Sequence, residues 1–474
     1  MKIALIFGKG IDGCGVTRGA RIFEQWANDN GVAETAIINF DNGQDMARAK
    51  LVKWTGKIHH VSSNDKDVSP EILKVVNDCD IAIVHSYPTR KQDACHIERF
   101  RRFLEKVQDP IVVCHDHAIS KVNMTAIPQA SELYAMSDIF VPQSMSGLSS
   151  KTVRMFDSGM NGRILENPIW IDTKYLDTFR KSAEDREKHM LYIGRHSPLK
   201  DPAMLCRMRP HLPDWKMSFV GCERSISSVS LPPGSTVEKC RCSYIPEYQP
   251  MIRFMRLNSA KKYVPAYKGE DTKDASMTAY DAYEFDWGMN VLGSSFASWC
   301  GYSLSDTNEY GSRMEYTMIE SFLLSMPILN DEFTENAFSP DGKKWKDYDF
   351  LISSSNGKEK QLAEQLAKLW ENKKEWQDRS MAGRGLIQHF NSIDTLAPNY
   401  LAAIQKMGKR SNKVNGIDRI SEYFPQAREL RADGEIVMSH ASSVKNQLSL
   451  ILVDGRQEEY VAKANSVDLS SFFD

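Results

Sequence analysis

The chain has 474 residues, of which 42% are hydrophobic and 26% are charged, and its formal net charge is −2. This length predicts two domains rather than one core. The near-neutral charge gives no global sign of nucleic-acid binding, and the nine cysteines form no repeated C-x-x-C pairs, which argues against a zinc cage or a disulfide framework. No apolar run approaches the length of a membrane span and no signal peptide precedes the first strand, so we expect a reduced, cytoplasmic setting and no membrane partner.

Strands and helices alternate through the first part of the chain. The glycine-rich stretch after the first apolar run is followed by Val16, Ala20, Phe23 and Ala27 at helical spacing, and Asn30-Gly31 supplies a helix stop. Such alternation is typical of a parallel, doubly wound sheet. The predicted strands are Lys2–Phe7, Ala36–Phe40, Ile81–His85, Ile111–Cys114, Ile139–Val141 and Arg163–Glu166.

A second alternating series follows a proline-containing linker at residues 166–175. Its predicted strands are residues 189–195, 216–221, 287–293, 326–330 and 349–353, and helices follow over about 359–406. The predicted fold class is therefore α/β with two Rossmann-like doubly wound domains facing a cleft, where ligands bind beyond the carboxyl ends of the strands. After Lys409 the chain becomes a polar linker, and residues 409–474 are expected to form a small appendage.

The opening loop carries the spelling G-x-G-x-x-G at Gly8, Gly10 and Gly13. This pattern after a strand is typical of dinucleotide-binding enzymes, and Asp41 is placed to hold a ribose. However, Gly15 extends the loop, and the helical pattern starts only near Val16. The loop therefore predicts an anion site at a helix N-terminus, and an NAD-dependent oxidoreductase remains one alternative.

Two further motifs suit a nucleotide diphosphate. The segment YIGRHSPLKDP places Arg195 and Lys200 beyond the end of a strand, where fixed cations can stabilise a departing diphosphate. The segment RMEYTMIESFLLSMPIL places Glu315 and Glu320 on a candidate helix, where a carboxylate can accept the hydroxyls of a ribose.

A third motif, VVCHDHAIS, ends a buried strand in His115, Asp116 and His117. Adjacent residues at a strand end point in opposite directions, so a metal chelate of all three is disfavoured. General acid–base work or orientation of a substrate is the better interpretation of these side chains.

Together these motifs resemble the DNA α-glucosyltransferase-like family of T-even phages, retaining glycosyltransferases of the GT-B type. The matching stretches run in order to about residue 400 and comprise GIDGCGVTR, VVNDCDIAIVHS, CHDHA, YIGRHSPLKD, GCERS, FASWCGYSLS and RMEYTMIE. One departure is that Ser312 stands where many GT-B enzymes have the earlier of two glutamates. The resemblance implies transfer of a sugar, glucose or arabinose, from a UDP-sugar to 5-hydroxymethylcytosine in duplex DNA, with retention and without a metal or other cofactor.

The resemblance also implies the role of each site residue. His115 and Asp116 would face the anomeric carbon and the acceptor hydroxymethyl group. Arg195 and Lys200 would neutralise the diphosphate, and Glu320 would hold the ribose. The other residues of the donor site would be Gly13, Gly15, Glu223, Arg224, Tyr302, Leu304 and Glu315.

The domains expected on this basis are an N-terminal acceptor domain at 1–170 and a UDP-sugar domain at 171–385, with helices at 386–408 packing back toward the first domain. Cations on the acceptor side, Arg90, Lys91, Arg101 and Arg102, would contact the DNA backbone while the target nucleotide is flipped out. The tail SVDLSSFFD resembles the C-terminal peptides that dock on the phage sliding clamp, through Phe472 and Phe473. A frayed terminus is the alternative for that tail.

By this interpretation the protein acts in the cytoplasm of the infected bacterial host. A GT-B enzyme with a non-DNA acceptor, an NAD-dependent oxidoreductase and a non-catalytic DNA-binding or clamp-associated protein are the competing functions.

Overall fold

A computed structural model describes residues 1–8, 10–11, 15–40, 53–62, 65, 67–86, 94–115, 136–141, 165, 168–194, 200–221, 252–257, 262–265, 277–280, 285–301, 316–331, 339, 343–355 and 357–410. The chain divides into two compact units. The first contains the described residues up to Trp170 together with residues 393–410. The second contains the described residues between Ile171 and Ser392.

The first unit is built on a six-stranded parallel sheet in the order β3-β2-β1-β4-β5-β6. Its strands are β1 Lys2–Phe7, β2 Glu34–Phe40, β3 Lys57–Val61, β4 Ile81–Ser86, β5 Ile111–His115 and β6 Ile139–Val141. The strand order reverses between β1 and β4, and in doubly wound sheets ligands bind beyond the carboxyl ends of the strands at this switch point.

The second unit is built on an eight-stranded sheet in the order β10-β9-β11-β8-β7-β12-β13-β14, in which only the β9–β10 pair is antiparallel. Its switch point lies between β7 and β12. The strands are β7 Glu187–Ile193, β8 Lys216–Val220, β9 Ile252–Leu257, β10 Tyr263–Pro265, β11 Met277–Tyr280, β12 Ser295–Cys300, β13 Pro327–Asn330 and β14 Ile352–Ser354.

Ten α-helices are described around these sheets. They are α1 Gly15–Asp29, α2 Pro70–Asn77, α3 Ala94–Glu105, α4 Thr173–Asp177, α5 Ala203–Met208, α6 Phe285–Ser294, α7 Tyr316–Leu324, α8 Glu359–Glu371, α9 Lys373–Asn391 and α10 Ile393–Met407. None of the helices described here is both long enough and apolar enough to cross a bilayer.

Each unit has its own apolar core. In the first, side chains of β1, β2 and β4 pack against Phe100 and Phe103 of α3. In the second, Trp299 and Phe296 of β12 pack with Trp376 of α9 and the apolar face of α5. The central strands are buried on both faces, as expected for parallel sheets covered by helices.

One predicted strand of the second unit is wrong. Residues 287–293 lie in helix α6, and the strand is the following segment, β12. A short apolar run does not distinguish a buried strand from a buried helix. Helix α6 is apolar because it is packed closely on its neighbours. At Gly293 a Cβ would lie 2.0 Å from the carbonyl oxygen of Phe179, so the helix approaches that backbone directly.

Other differences are smaller. Strands β3, β9, β10 and β11 were not predicted, the proposed linker at 166–175 contains the start of α4, and β14 begins at Ile352 rather than at residue 349. The predicted first helix and its stop are confirmed, since α1 ends at Asp29 and Gly31 has a φ of 64°. Of the predicted strand at 163–166, only Leu165 is described, and residues 411–474 lie outside the described part.

Candidate active site

The glycine-rich loop of the first unit is held from two sides. The ring Nε2 of His96, on α3, lies 2.7 Å from the carbonyl oxygen of Gly8, and the amide of Ile11 donates to Oδ1 of Asn39 at 2.8 Å. Gly10 between them has a φ of 83°, a conformation that favours glycine. Gly15 is the first residue of α1, so the loop leads into a helix N-terminus.

His115 is the last residue of β5, and its side chain is 4% exposed. Its Nε2 lies 2.5 Å from the hydroxyl oxygen of Tyr400, and its ring centroid is 5.0 Å from that of His85 on the neighbouring strand β4. Burial raises the pKa of the Tyr400 phenol well above its usual range, so this hydroxyl keeps its proton. The histidine predicted to be catalytic is therefore packed between the side chains of Tyr400 and His85 and hydrogen-bonded to the first.

Tyr400 reaches His115 from helix α10, 285 residues farther along the chain. Behind it, the Trp170 ring meets the Tyr400 ring edge-on at 5.4 Å, and the Trp170 indole N–H donates to the carbonyl oxygen of Gly19 at 2.8 Å. The indole of Trp26 donates to Asp394 at 3.1 Å, which fastens the start of α10 to α1. These contacts fix Tyr400 relative to the helix that follows the glycine-rich loop.

Glycines shape the carboxyl edge of the second sheet. Gly194 follows β7 with a φ of 144°, and Gly221 follows β8 with a φ of 93°. A Cβ on Gly221 would lie 2.9 Å from the carbonyl oxygen of Gly194, so only glycine permits this approach. A Cβ on Gly194 would contact Thr317 at 4.0 Å, which places the first turn of α7 beside the end of β7.

Lys200 lies at the same edge. A Cβ on Gly301, directly after β12, would stand 1.8 Å from the carbonyl oxygen of Lys200. The Trp299 indole donates to the carbonyl oxygens of Lys200 and Asp201 at 3.2 and 2.9 Å. Asp201 has a φ of 40°, rare for a residue other than glycine, and its carboxylate takes two hydrogen bonds from the Arg207 guanidinium. These interactions hold the backbone beside Lys200 in place.

Glu320 lies one turn into α7, and none of its surface is exposed. A carboxylate is costly to bury without hydrogen bonds or a cation, so fully buried carboxylates are uncommon outside functional or paired sites. The backbone of Lys200 therefore lies beside the end of β12, and the first turn of α7, the helix that carries Glu320, lies beside the end of the adjacent strand β7.

Most of the other predicted site residues lie outside the described part of the chain. These are Gly13, Arg90, Lys91, Asp116, Arg195, Glu223, Arg224, Tyr302, Leu304, Glu315, Phe472 and Phe473. Their roles stay predictions.

Arg101 and Arg102, predicted to contact DNA, are ion-paired on α3. Arg101 pairs with Glu98 at 2.5 Å and with Glu105 at 2.7 Å, and Arg102 pairs with Asp67 at 3.0 Å. The hydrogen bond from Arg101 lowers the pKa of Glu98. A phosphate would therefore have to compete with carboxylates for both guanidinium groups.

Sequence reasoning missed His85, His96 and Tyr400. His85 carried a usable signal, because it comes near the end of a predicted strand beside the strand of His115. Tyr400 carried none, since only the folded chain brings it to β5. Among the described residues no group of three or more histidines, cysteines or acidic residues is arranged to hold a metal ion.

No protein-family model matches the chain. The DNA alpha-glucosyltransferase of Enterobacteria phage T4 is 26% identical over 171 residues, which cover 33% of this chain. The aligned region spans 41% of the T4 protein, less than two thirds of its length.

Solved structures match over a larger share of the chain. An alpha-glucosyltransferase in complex with UDP-glucose and DNA containing an abasic site has a TM-score of 0.67 at 17% identity, and the match covers 85% of this chain and 99% of that one. The same kind of protein with UDP and a 13-mer DNA containing a HMU base gives a TM-score of 0.69 at 17% identity, again over 85% and 99% of the two chains.

Anabaena HepE in complex with UDP-glucose is more distant, with a TM-score of 0.53 at 9% identity over 86% of this chain and 100% of its own. The predicted class, two Rossmann-like units of the GT-B type, is therefore confirmed. The chain therefore has the GT-B fold, and part of its sequence is similar to the DNA alpha-glucosyltransferase of phage T4.

Proposed function

We propose that this protein is a UDP-sugar-dependent glycosyltransferase that modifies 5-hydroxymethylcytosine in duplex DNA, and that it works in the cytoplasm of an infected bacterium. The observation that carries the proposal is the sequence match to the phage T4 enzyme, which accompanies a fold match over nearly the whole length of solved alpha-glucosyltransferases. Lys200 beside the end of β12, and the start of the Glu320 helix α7 beside the end of the adjacent strand β7, support a nucleotide site in the second unit.

In this proposal the second unit holds the sugar donor. Arg195 and Lys200 neutralise the diphosphate, and Glu320 accepts the hydroxyls of the ribose. Cations fixed before the reaction stabilise the charge that develops on the departing UDP without reorganising at that moment. The remaining donor contacts are assigned to Gly13, Gly15, Glu223, Arg224, Tyr302, Leu304 and Glu315.

The reaction proposed is a substitution with retention at the anomeric carbon. The bond from the acceptor hydroxymethyl oxygen to that carbon forms on the face from which UDP departs. The bond to the diphosphate breaks with its electron pair, and a phosphate oxygen takes the acceptor proton. Asp116 and His115 orient the two reactants. His115 does so from the last position of β5, where its Nε2 is bonded to the Tyr400 hydroxyl.

A DNA duplex containing 5-hydroxymethylcytosine tests this directly. The protein is incubated with that DNA and either UDP-glucose or UDP-arabinose, and the mass added per base is measured. A hexose or a pentose increment is expected from one donor, and unmodified cytosine DNA should gain nothing. No added mass with either donor would contradict the proposal.

Two finer parts need their own measurements. The anomeric configuration of the product, determined by NMR, should match that of the donor if the sugar is retained. Transfer in the presence of a strong chelator should continue at the same rate if no metal takes part. Glu320→Gln is expected to weaken UDP binding by about tenfold, since a charge-assisted hydrogen bond to the ribose is removed.

The same assay separates the competing functions. A GT-B enzyme with a different acceptor would bind UDP-sugar and leave the DNA unchanged. An NAD-dependent oxidoreductase would bind NAD at the glycine-rich loop and would need neither Lys200 nor Glu320. A non-catalytic DNA-binding protein would bind the duplex and transfer nothing.

The C-terminal tail is proposed to dock on the phage sliding clamp through Phe472 and Phe473. The last described residues support a chain that leaves from the first unit: the Lys409 ammonium donates to the carbonyl oxygen of Gln108, and the Arg410 amide donates to Asp138. Both contacts lie beside the starts of β5 and β6, away from the strand ends that carry His115. Deleting residues 466–474 should abolish clamp binding and leave transfer to short DNA intact; clamp binding that survives the deletion would refute the proposal.

A further inference from the structure

Tyr400 is a hydrogen-bond partner of the His115 Nε2. The phenol oxygen lies 2.5 Å from this nitrogen, the ring centroids are 5.8 Å apart, and Tyr400 is 6% exposed. A hydrogen bond this well shielded from water holds both rings in one orientation more firmly than an exposed one does.

The Tyr400 hydroxyl can bond to Nε2 of His115 whichever tautomer the ring adopts. A phenol both donates and accepts, so it can donate to Nε2 of a neutral imidazole or accept from Nε2–H of the other tautomer or of the cation. The contact therefore survives either state of the ring. Since Nε2 is committed to Tyr400, any interaction of His115 with reacting groups must involve Nδ1 or the ring edge.

Rings on the neighbouring strands also pack against His115. The His85 ring lies 5.0 Å away, and the Phe7 ring stacks on His85 at 5.3 Å. His115 thus lies in a row of rings that starts at the last residue of β1 and crosses the ends of β4 and β5. Tyr400 closes this row with a hydrogen bond, which fixes rotation of the imidazole as well as its position.

We propose that Tyr400 is a positioning residue of the transfer reaction, which acts by orienting His115 at the carboxyl end of β5. This rests on the proposed function, because it assigns a step in that reaction to a residue of the distant helix α10. Tyr400 itself contacts neither the donor nor the acceptor in this proposal. Its effect on the rate must therefore disappear when His115 is removed.

A double-mutant cycle on the full chain tests the proposal, with 5-hydroxymethylcytosine DNA and the UDP-sugar that the wild type uses. Tyr400→Phe deletes only the hydroxyl, and we expect kcat to fall about tenfold while KM for the donor stays within about twofold. In the His115→Ala background the same substitution should change kcat by less than about twofold. An equal loss in both backgrounds, or no loss in the wild type, overturns the proposal.

Tyr348→Phe is the matched control. Its hydroxyl also makes a short side-chain hydrogen bond, 2.6 Å to Ser339 in the second unit, so the same atom and the same kind of bond are removed away from His115. We expect unchanged kcat for this variant. A tenfold loss here as well would mean that removing any such bond slows transfer, and would overturn the specific role of Tyr400.

A spectroscopic measurement separates this inference from the proposed function. In protein labelled with ¹⁵N-histidine, the Nε2 resonance of His115 should move when Tyr400 is replaced by Phe, whether or not any sugar is transferred. If that variant does not fold, the wild type suffices: a slowly exchanging Tyr400 hydroxyl proton close to the His115 ring is expected. Absence of that proton signal, or an unchanged Nε2 resonance in the folded variant, overturns the contact.

Discussion

His96 donates through Nε2 to the carbonyl oxygen of Gly8 at 2.7 Å, and its other nitrogen, Nδ1, faces the guanidinium of Arg99. The Arg99 guanidinium lies 3.0 Å from Nδ1 and can only donate. Nδ1 must therefore accept, and the same neutral tautomer places the hydrogen on Nε2, where the Gly8 carbonyl requires a donor. Arg99 also donates to the carbonyl oxygens of Ser62 and Asp65, so one buried network joins the end of β3, helix α3 and the glycine-rich loop.

Replacing His96 should loosen this loop. His96→Ala leaves the Gly8 carbonyl and a buried guanidinium donor without their partner, and we expect a loss of about 1–3 kcal/mol in the free energy of unfolding. His96→Gln keeps a donor and an acceptor and should lose less. Urea denaturation measures both, with the exposed His211→Ala as the control that stays at the wild-type value. Equal stability of the Ala variant and the wild type would show that the network contributes nothing.

Gly301→Ala should disturb the backbone beside Lys200. The new Cβ would stand 1.8 Å from the Lys200 carbonyl oxygen and 2.4 Å from the Trp299 indole nitrogen, so the segment must move. Overpacking of this kind costs about 1–3 kcal/mol, and we expect UDP-glucose binding to weaken together with stability. Thermal unfolding and calorimetric titration with UDP-glucose measure the two effects.

Gly385→Ala is the matched control for that variant. Gly385 lies within helix α9, and nothing stands within 4 Å of its Cβ position. Alanine there should stabilise the protein by about 0.5–1 kcal/mol, because glycine is unfavourable inside a helix. A Gly301→Ala variant that is as stable and as well bound to UDP-glucose as the control would contradict the close approach to Lys200.

His189 should make stability depend on pH. Burial, assisted by the charge of Lys216, lowers its pKa from 6.5 to about 3, and its Nδ1 lies 2.9 Å from the Ser295 hydroxyl. The folded state therefore keeps this ring neutral, whereas the unfolded chain takes up a proton below pH 6.5. The contribution of neutral His189 to the free energy of unfolding is fully present above pH 6.5, the pKa in the unfolded chain, and is lost as the pH drops toward 3, the pKa in the folded state. Between pH 7 and pH 5 the free energy of unfolding should fall by about 2 kcal/mol.

His189→Gln removes this titration. Urea denaturation at pH 7 and pH 5 should show a smaller loss of stability for the variant than for the wild type, while His211→Gln keeps the wild-type loss. The same pH dependence in His189→Gln and the wild type would refute the assignment.

The salt dependence of DNA binding should show which cations contact phosphates: the pair Arg101 and Arg102, or the pair Arg90 and Lys91. Arg101 and Arg102 already pair with carboxylates, so Arg101→Gln with Arg102→Gln should change the slope of log K against log salt little. If Arg90 and Lys91 neutralise phosphates, their replacement by Gln should reduce the slope by about 0.9 for each phosphate that is no longer neutralised. Fluorescence anisotropy with a duplex at several salt concentrations measures both. An unchanged slope in all variants would remove this surface from the DNA site.

The fold class was predictable because its signal is repeated. Strongly apolar strands such as Lys2–Phe7 and the helix that ends before Gly31 each agree with a doubly wound sheet, and many such segments leave little choice of architecture. The predictions that were wrong or incomplete concern individual helices and strands. Residues 287–293 resemble a strand because a helix packed closely through Gly293 is as apolar as a strand. Strand β3, KIHHV, was not predicted because polar side chains interrupt its apolar run.

In the candidate site, too, some residues could be predicted from the sequence and others could not. Lys200, Glu320 and His115 could be selected because each lies just past a recognisable strand or early on a helix. The residues that hold them could not. Tyr400, Trp170 and Gly301 act through contacts between segments far apart in sequence, and each has an ordinary structural interpretation when it is considered locally.

The return of α10 to the first unit has a consequence for how the protein is made. The ribosome completes all six strands of the first sheet long before it synthesises Tyr400 and Asp394, which supply the partners of His115 and Trp26. The first unit therefore stays without part of its interior until the whole second unit has been translated. A chain cut after Trp170 should expose the rings of His115 and Trp170 to water, so we expect it to be less stable than the same residues in the full chain.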